Sequence, residues 1–353
     1  MNEFFENSHI VRDVRENCPR GLNIVLEFIK FAIVIKLIGR FTNSIAAYVV
    51  DNHLEPLETL GGTWLLGIGL MSVVAVCYAA LWERMRPRHV GVSFRPVLYV
   101  VRDLVVGYVL GFVCMGGAFA VAHLFGAFDT QSNLQNVWMW KIGWYVLVYL
   151  FQACGEEVMY RGAFMMSAAR KNPAWLALLV SSVWFSWHHS PNAGYGPVAF
   201  VNLTLLAIVC GITVFGTGRI WMATAIHAAW NFFQGKVFGV AVSGNLPSPK
   251  ATLMVSVAKG DGLFSGGDMG LEGSLAATIV LVVVLVLMCV FIVRRQRTNP
   301  VLIEPAEKGE PAAGAGPSEK PEPSEKGEPR ATAEPAESAE PQDARPIRSV
   351  PRI

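Results

Sequence analysis

Residues 137–162 read VWMWKIGWYVLVYLFQACGEEVMYRG. The first part of this stretch is an apolar run long enough, at 1.5 Å per helical residue, to approach the ~30 Å of a hydrocarbon core. It then carries Glu156, Glu157 and Arg161 within six positions. On a helix Glu157 and Arg161 are four apart, lie on one face and can pair. Glu156 points about 100° away and shares a face with Tyr160 instead. One carboxylate is thus matched by a cation, while its neighbour stands in an apolar setting without one, the position of a general base. Taken alone, the same pattern also describes a charge cluster at a bilayer interface.

Working outward, the composition supports a membrane setting. Of 353 residues, 53% are hydrophobic and 16% charged, against roughly 25% charged in soluble domains. Mean hydropathy is +0.41. The apolar residues fall in blocks that predict spans at Leu60–Trp82, Val97–Phe125, Val137–Met159, Ala174–His189, Val198–Phe215, Ile220–Val242 and Leu275–Val293. The 21–50 segment is apolar but interrupted by Glu27, Lys30, Lys36 and Arg40. It reads either as an eighth span with snorkelling ends or as an interfacial helix. The expected fold is an all-α polytopic transmembrane bundle of about eight spans. A net charge of +2 makes no case for a nucleic-acid partner.

Basic residues follow alternate spans: Arg84, Arg86, Arg88 and Arg95; Arg161, Arg170 and Lys171; Arg219; and Arg294, Arg295 and Arg297. Loops 51–59 and 126–135 carry none. The positive-inside rule then predicts an integral, multi-pass protein with both termini cytoplasmic, and a bacterial cell membrane is the expected location. Loop 243–271, with Lys250 and Lys259, fits this threading less well. The organisation reads as a cytosolic segment 1–20, N-terminal membrane helices 21–135, a core 136–242, an extracytoplasmic loop and last helix 243–298, and a tail 299–353. The tail is built from Pro, Glu, Ala, Lys, Gly and Ser with near-repeats such as Glu307–Pro311 and Glu325–Pro329. It lacks the apolar residues needed to offset ordering entropy and is expected to be disordered. The polar start predicts no cleavable signal peptide. Six cysteines, none in a Cys-x-x-Cys pair, read as small buried hydrophobes.

Two further polar pairs occur inside predicted spans. Phe185 and His189 are four apart, as are His227 and Asn231. Ionisable residues within spans are functional candidates by default, and three such pairs on three spans argue against coincidence. Acid–base chemistry on a water needs a base within reach of it, and developing negative charge needs donors aimed at it. Glu and His can supply the first; His and Asn can supply the second.

The ordered set Glu156-Glu157-x-x-x-Arg161, Phe185-x-x-x-His189 and His227-x-x-x-Asn231 resembles the CAAX-protease and bacteriocin-processing (CPBP, or Abi) family of intramembrane proteases, over about residues 136–242. The resemblance implies a helical bundle around a cavity open to membrane and cytosol, and endopeptidase cleavage of a membrane protein or peptide, prenylated or not, near the bilayer surface. It implies that Glu156 activates water with help from His189, that His227 and Asn231 stabilise the oxyanion, and that Glu157 and Arg161 organise the site. Tyr160 stands where the family often has Phe. His188 is additional, and the four-residue spacing selects His189. The set is expected near the cytoplasmic face.

No His-Glu-x-x-His is present, so a metal-free, glutamate-activated water is the favoured reading. Zinc held by Glu156, His189 and His227 is the competing one. A non-catalytic scaffold or immunity protein on the same fold is the rival from another class. A transporter would show inverted repeats, which the sequence lacks. The Asn202-Leu203-Thr204 sequon falls inside a span and reads as chance. The tryptophans near span ends read as an interfacial belt, and Gly67, Gly69, Gly111, Gly116 and Gly117 as close helix packing.

Overall fold

A computed structural model describes residues 1–51, 63–260 and 262–298. Loop 51–59 and the 299–353 tail lie largely or wholly outside them. The chain is mostly helical, with α1 (Asn2–Glu6), α2 (His9–Asn17), α3 (Ile24–Asp51), α4 (Thr63–Leu81) and α5 (Val97–Leu124). The second half holds α6 (Met139–Glu157), a π-helical segment (Val158–Phe164), α7 (Met165–Ala169), α8 (Ala174–His188) and α9 (Pro197–Thr217). It ends with α10 (Trp221–Phe232), a second π-helical segment (Phe233–Val237) and α11 (Leu275–Thr298). Every predicted span has a helix, and among the described residues three helices (Val97–Leu124, Pro197–Thr217 and Leu275–Gln296) are long and apolar enough to cross a membrane. Local sequence marks several ends: Pro173 precedes α8, Pro197 opens α9, and Gly218 closes it with φ +67°.

The all-α expectation omits one feature. β1 (Phe128–Ser132) and β2 (Met254–Ala258) form a two-stranded antiparallel sheet, Phe128 opposite Ala258 and Ser132 opposite Met254. It ties loop 243–271 to the start of α6. Asn133 Nδ2 donates to the Pro249 and Thr252 carbonyls (2.6 and 2.9 Å), and Trp138 N donates to Lys250 O (3.1 Å).

The N-terminal segment is docked rather than loose. Ile10, Val11 and Val14 on one face of α2 are buried, and Ser8 Oγ donates to Phe215 O at 2.7 Å. The charges in α3 divide by face. Lys36 and Arg40 are exposed, whereas Glu27 is wholly buried. Glu27 meets Lys30 at 2.5 Å and Arg170 at 3.5 Å; Glu83 meets Lys30 at 2.7 Å and also Arg170. For Glu27 and Lys30, internal pairing replaces the expected snorkelling. Phe31 carries the packing onward, edge-on to Tyr78 and Phe164 at 5.4 and 5.5 Å between centroids.

One contact fixes the helix that bears His227 and Asn231. A Cβ on Gly107 would lie 2.5 Å from Met222 O, and one on Gly111 would lie 2.5 Å from Ile226 O. Only glycine lets α5 and α10 approach this closely. Gly111 is thus a packing glycine as expected, and Gly107 joins it. Gly116 and Gly117 meet their neighbours at ordinary distance. Asn202 is buried, donating to the Glu272 and Ser274 carbonyls (2.9 and 2.8 Å) and accepting from Thr278 Oγ1 (2.7 Å). It is a structural tie, not a surface sequon.

Candidate active site

The apolar helix does not end at Met159. It passes unbroken from α6 through the π segment into α7, from Met139 to Ala169. Glu156 sits 17 residues from the start and 13 from the end, about 25 and 20 Å at 1.5 Å per residue. Glu157 and Arg161 are almost wholly buried, so the set lies inside the bundle rather than at an exposed helix end. The polar residues read as a helix end because a buried polar cavity and an aqueous boundary lower local hydropathy alike.

The six residues come together around Phe185. Arg161 lies over its ring, 4.4 Å from the centroid. His189 and His227 stand 4.8 and 5.7 Å from it, the latter edge-on. Tyr160 and Trp184 pack beside it. Glu157 is fully buried, 3.2 Å from Arg161 Nη1, and accepts a hydrogen bond from His227 Nδ1 at 2.9 Å. That bond turns His227 Nε2 towards Glu156, whose Oε2 is 3.6 Å away, too long for a hydrogen bond. His189 caps α8, and its Nδ1–H donates to Phe185 O at 2.8 Å, leaving Nε2 as an acceptor. His188 is exposed and does not line the cavity.

Glu156 has a different environment from Glu157. Its Oε1 accepts from Gln152 Nε2 at 2.8 Å, and Gln152 Oε1 accepts from Asn231 Nδ2 at 3.1 Å. Oε2 has no hydrogen-bond partner among the described residues. Gln152 thus bridges Asn231 and Glu156, a link the motif reading missed. Its signal was present: an amide inside an apolar run, one helical turn before Glu156.

Glu156, His189, His227 and Asn231 line one cavity of about 200 Å³, together with Tyr145, Tyr149, Gln152 and Phe185. Lys236, Glu272 and residues of loop 242–248 complete it. Tyr145, Tyr149, Gln152 and Glu156 recur at helical spacing, so the lining runs from the site towards the first half of α6. Loop 242–248 covers that end, opposite Arg170 and Lys171. Glu272 clasps the loop, accepting from Ser243 N and Ser243 Oγ at 2.7 and 2.8 Å. Burial pushes the Glu272 carboxyl up to about 7, against these hydrogen bonds, which pull it down. Ser243 holds φ +46° to make the turn. Glu272 left no signal in the sequence, because it reaches the site from a loop 41 positions after Asn231.

Two of the three helices that carry candidate site residues change winding, at Val158–Phe164, which contains Arg161, and at Phe233–Val237 after Asn231. Such π turns concentrate at functional sites because they re-aim side chains within an otherwise continuous helix. Each contains a glycine under close approach. A Cβ on Gly162 would meet Val90 O at 2.7 Å, and one on Gly235 would meet Val242 Cγ2 at 2.8 Å.

The zinc reading requires Glu156, His189 and His227 to converge on one ion. Among the described residues no three His, Cys, Asp or Glu side chains are grouped to hold a metal, while His227, bonded to Glu157 through Nδ1, presents Nε2 towards Glu156.

The family model described as type II CAAX prenyl endopeptidase Rce1-like matches residues 138–233. The matched segment contains Gln152, Glu156, Glu157, Arg161, Phe185, His189, His227 and Asn231, and it bears out the resemblance to the CAAX-protease family. No curated protein and no solved structure matches the chain. The matched segment is similar to a CAAX protease-type endopeptidase family, and the apolar helices fit a membrane-integral protein.

Proposed function

We propose that this chain hydrolyses a peptide bond of a membrane-associated or prenylated protein or peptide, using a water activated by Glu156. One observation carries the reading. Of the two adjacent carboxylates, Glu157 is held by Arg161 and His227, while Glu156 has no Lys or Arg partner among the described residues and faces the cavity. An acceptor so placed is suited to take a proton.

In the proposed sequence, Glu156 Oε2 accepts one proton of a water held also by His189 Nε2, and the water oxygen attacks the scissile carbonyl. The oxyanion receives hydrogen bonds from His227 Nε2–H and from the Asn231 amide. His227 is doubly protonated in this step, its Nδ1–H bonded to Glu157. Glu156 then returns the proton to the departing amine nitrogen as the C–N bond breaks, leaving a carboxylic acid and an amine. Arg161 balances Glu157, so His227 keeps its orientation throughout.

The test compares membrane-proteome termini from cells carrying the native chain and cells carrying Glu156→Ala. A terminus produced only by the native chain is the expected result. Identical termini in both strains would favour the rival reading, a non-catalytic scaffold.

A further inference from the structure

Lys236 is the unexplained cation of this cavity. It lies in the π segment that follows Asn231 and is 5% exposed. It lines the same cavity as Glu156 and His227. Its backbone is pinned, with Lys236 O accepting from Leu253 N at 2.8 Å. Its Nζ stands 3.8 Å from the centroid of the Tyr145 ring, a cation–π contact that leaves its hydrogen-bonding capacity unmet. Among the described residues no carboxylate lies within ion-pair distance of it. Of the two carboxylates that share the cavity lining, Glu156 accepts from Gln152 and Glu272 is engaged by Ser243. A buried ammonium without a counter-ion is costly, and the cost is recovered when an anion enters.

We propose that Lys236 is a substrate-binding residue that anchors a carboxylate of the bound peptide, a few residues from the scissile bond. Nine positions separate His227 from Lys236, about 13 Å along a helix. An extended peptide covers that in about four residues. The carboxylate is either the peptide's own C-terminus or an Asp or Glu side chain. The proposal rests on the peptidase reading for its ligand, but its test reads binding rather than cleavage.

Full-length Glu156→Ala protein in lipid nanodiscs is presented with a mixed-sequence decapeptide library, supplied as free acids and as C-terminal amides. Retained peptides are identified by mass spectrometry and compared with those held by Glu156→Ala/Lys236→Met. A charge-assisted hydrogen bond predicts a preference of about tenfold or more. Free acids favoured over amides, with the preference lost in the Lys236→Met protein, identifies a terminal carboxylate. Equal retention of acids and amides, with enrichment of Asp or Glu that Lys236→Met removes, identifies a side chain. Anion preference that survives Lys236→Met, or none in either protein, overturns the proposal. Lys236→Arg, which keeps the charge, is expected to retain the preference and separates charge from packing. Lys236-dependent binding with no native cleavage product would leave the anion site standing and remove the peptidase reading.

Discussion

Two of the buried ion networks among the described residues of this bundle are built differently. The one joining α3, the end of α4 and the residue after α7 contains Glu27, Glu83, Lys30 and Arg170, two acids and two bases. Each acid meets both cations, and Tyr78 and the Leu22 amide supply further donors at 2.8 and 2.9 Å. The one in the cavity contains Glu156, Glu157 and Arg161, two acids and one permanent cation, with His227 between the acids. Charge balance without a cavity is what a scaffold needs. An acid left over beside a cavity costs stability, and chemistry is the return on that cost.

The comparison can be broken in four places. The largest effect is expected at Glu156→Ala: cleavage falls by about 10⁴-fold while the melting temperature in detergent is unchanged or raised. A large loss of thermal stability would make Glu156 a second scaffold residue. Next is Arg170→Met, which strands Glu27 and Glu83 with one cation. Breaking a buried pair costs about 3–5 kcal/mol, read as a lowered melting temperature, whereas the folded fraction should keep its turnover number.

Asn231→Ala is third, with cleavage reduced by about 10²–10³-fold, the range for one oxyanion donor. A loss no larger than that of Gln152→Ala, without change in the rate of the chemical step, would recast Asn231 as a positioning residue acting through Gln152.

The smallest effect concerns Glu272. Its carboxyl is raised from the ordinary 4.5 to about 7, so between these values the folded chain keeps a proton the unfolded chain has lost. Stability contributed by this group therefore falls as pH rises from 4.5 to 7 and then levels, by at most about 1.4 kcal/mol per pH unit. Glu272→Gln should remove that slope from melting curves taken across the range.

The candidate site residues Glu156, Glu157, Arg161, His189, His227 and Asn231 were legible as a set because helix periodicity is local: four positions apart means one face, whatever surrounds it. Gln152 was equally legible by spacing but hidden by its ordinary chemistry. Lys236 lies five residues after Asn231, and it reaches the cavity through a π turn that no pattern in the sequence announced. Glu272 and the 242–248 loop arrive from outside the core segment. That the helix continues past Met159 was hidden because hydropathy reports how polar a stretch is, not whether water or protein supplies its partners.

The sequence by itself determined that this is a helical membrane protein and which polar side chains its spans carry, because burial of apolar surface and the 3.6-residue turn act over short distances along the chain. Only the tertiary structure decided how those side chains divide the work. Which carboxylate is neutralised depends on Arg161 and His227 meeting Glu157 rather than Glu156. That choice depends on Gly107 and Gly111 letting α10 approach, on Phe185 wedging between the rings, and on two helices changing their winding. Each is a contact between distant parts of the chain, and its energy exists only once the bundle has packed.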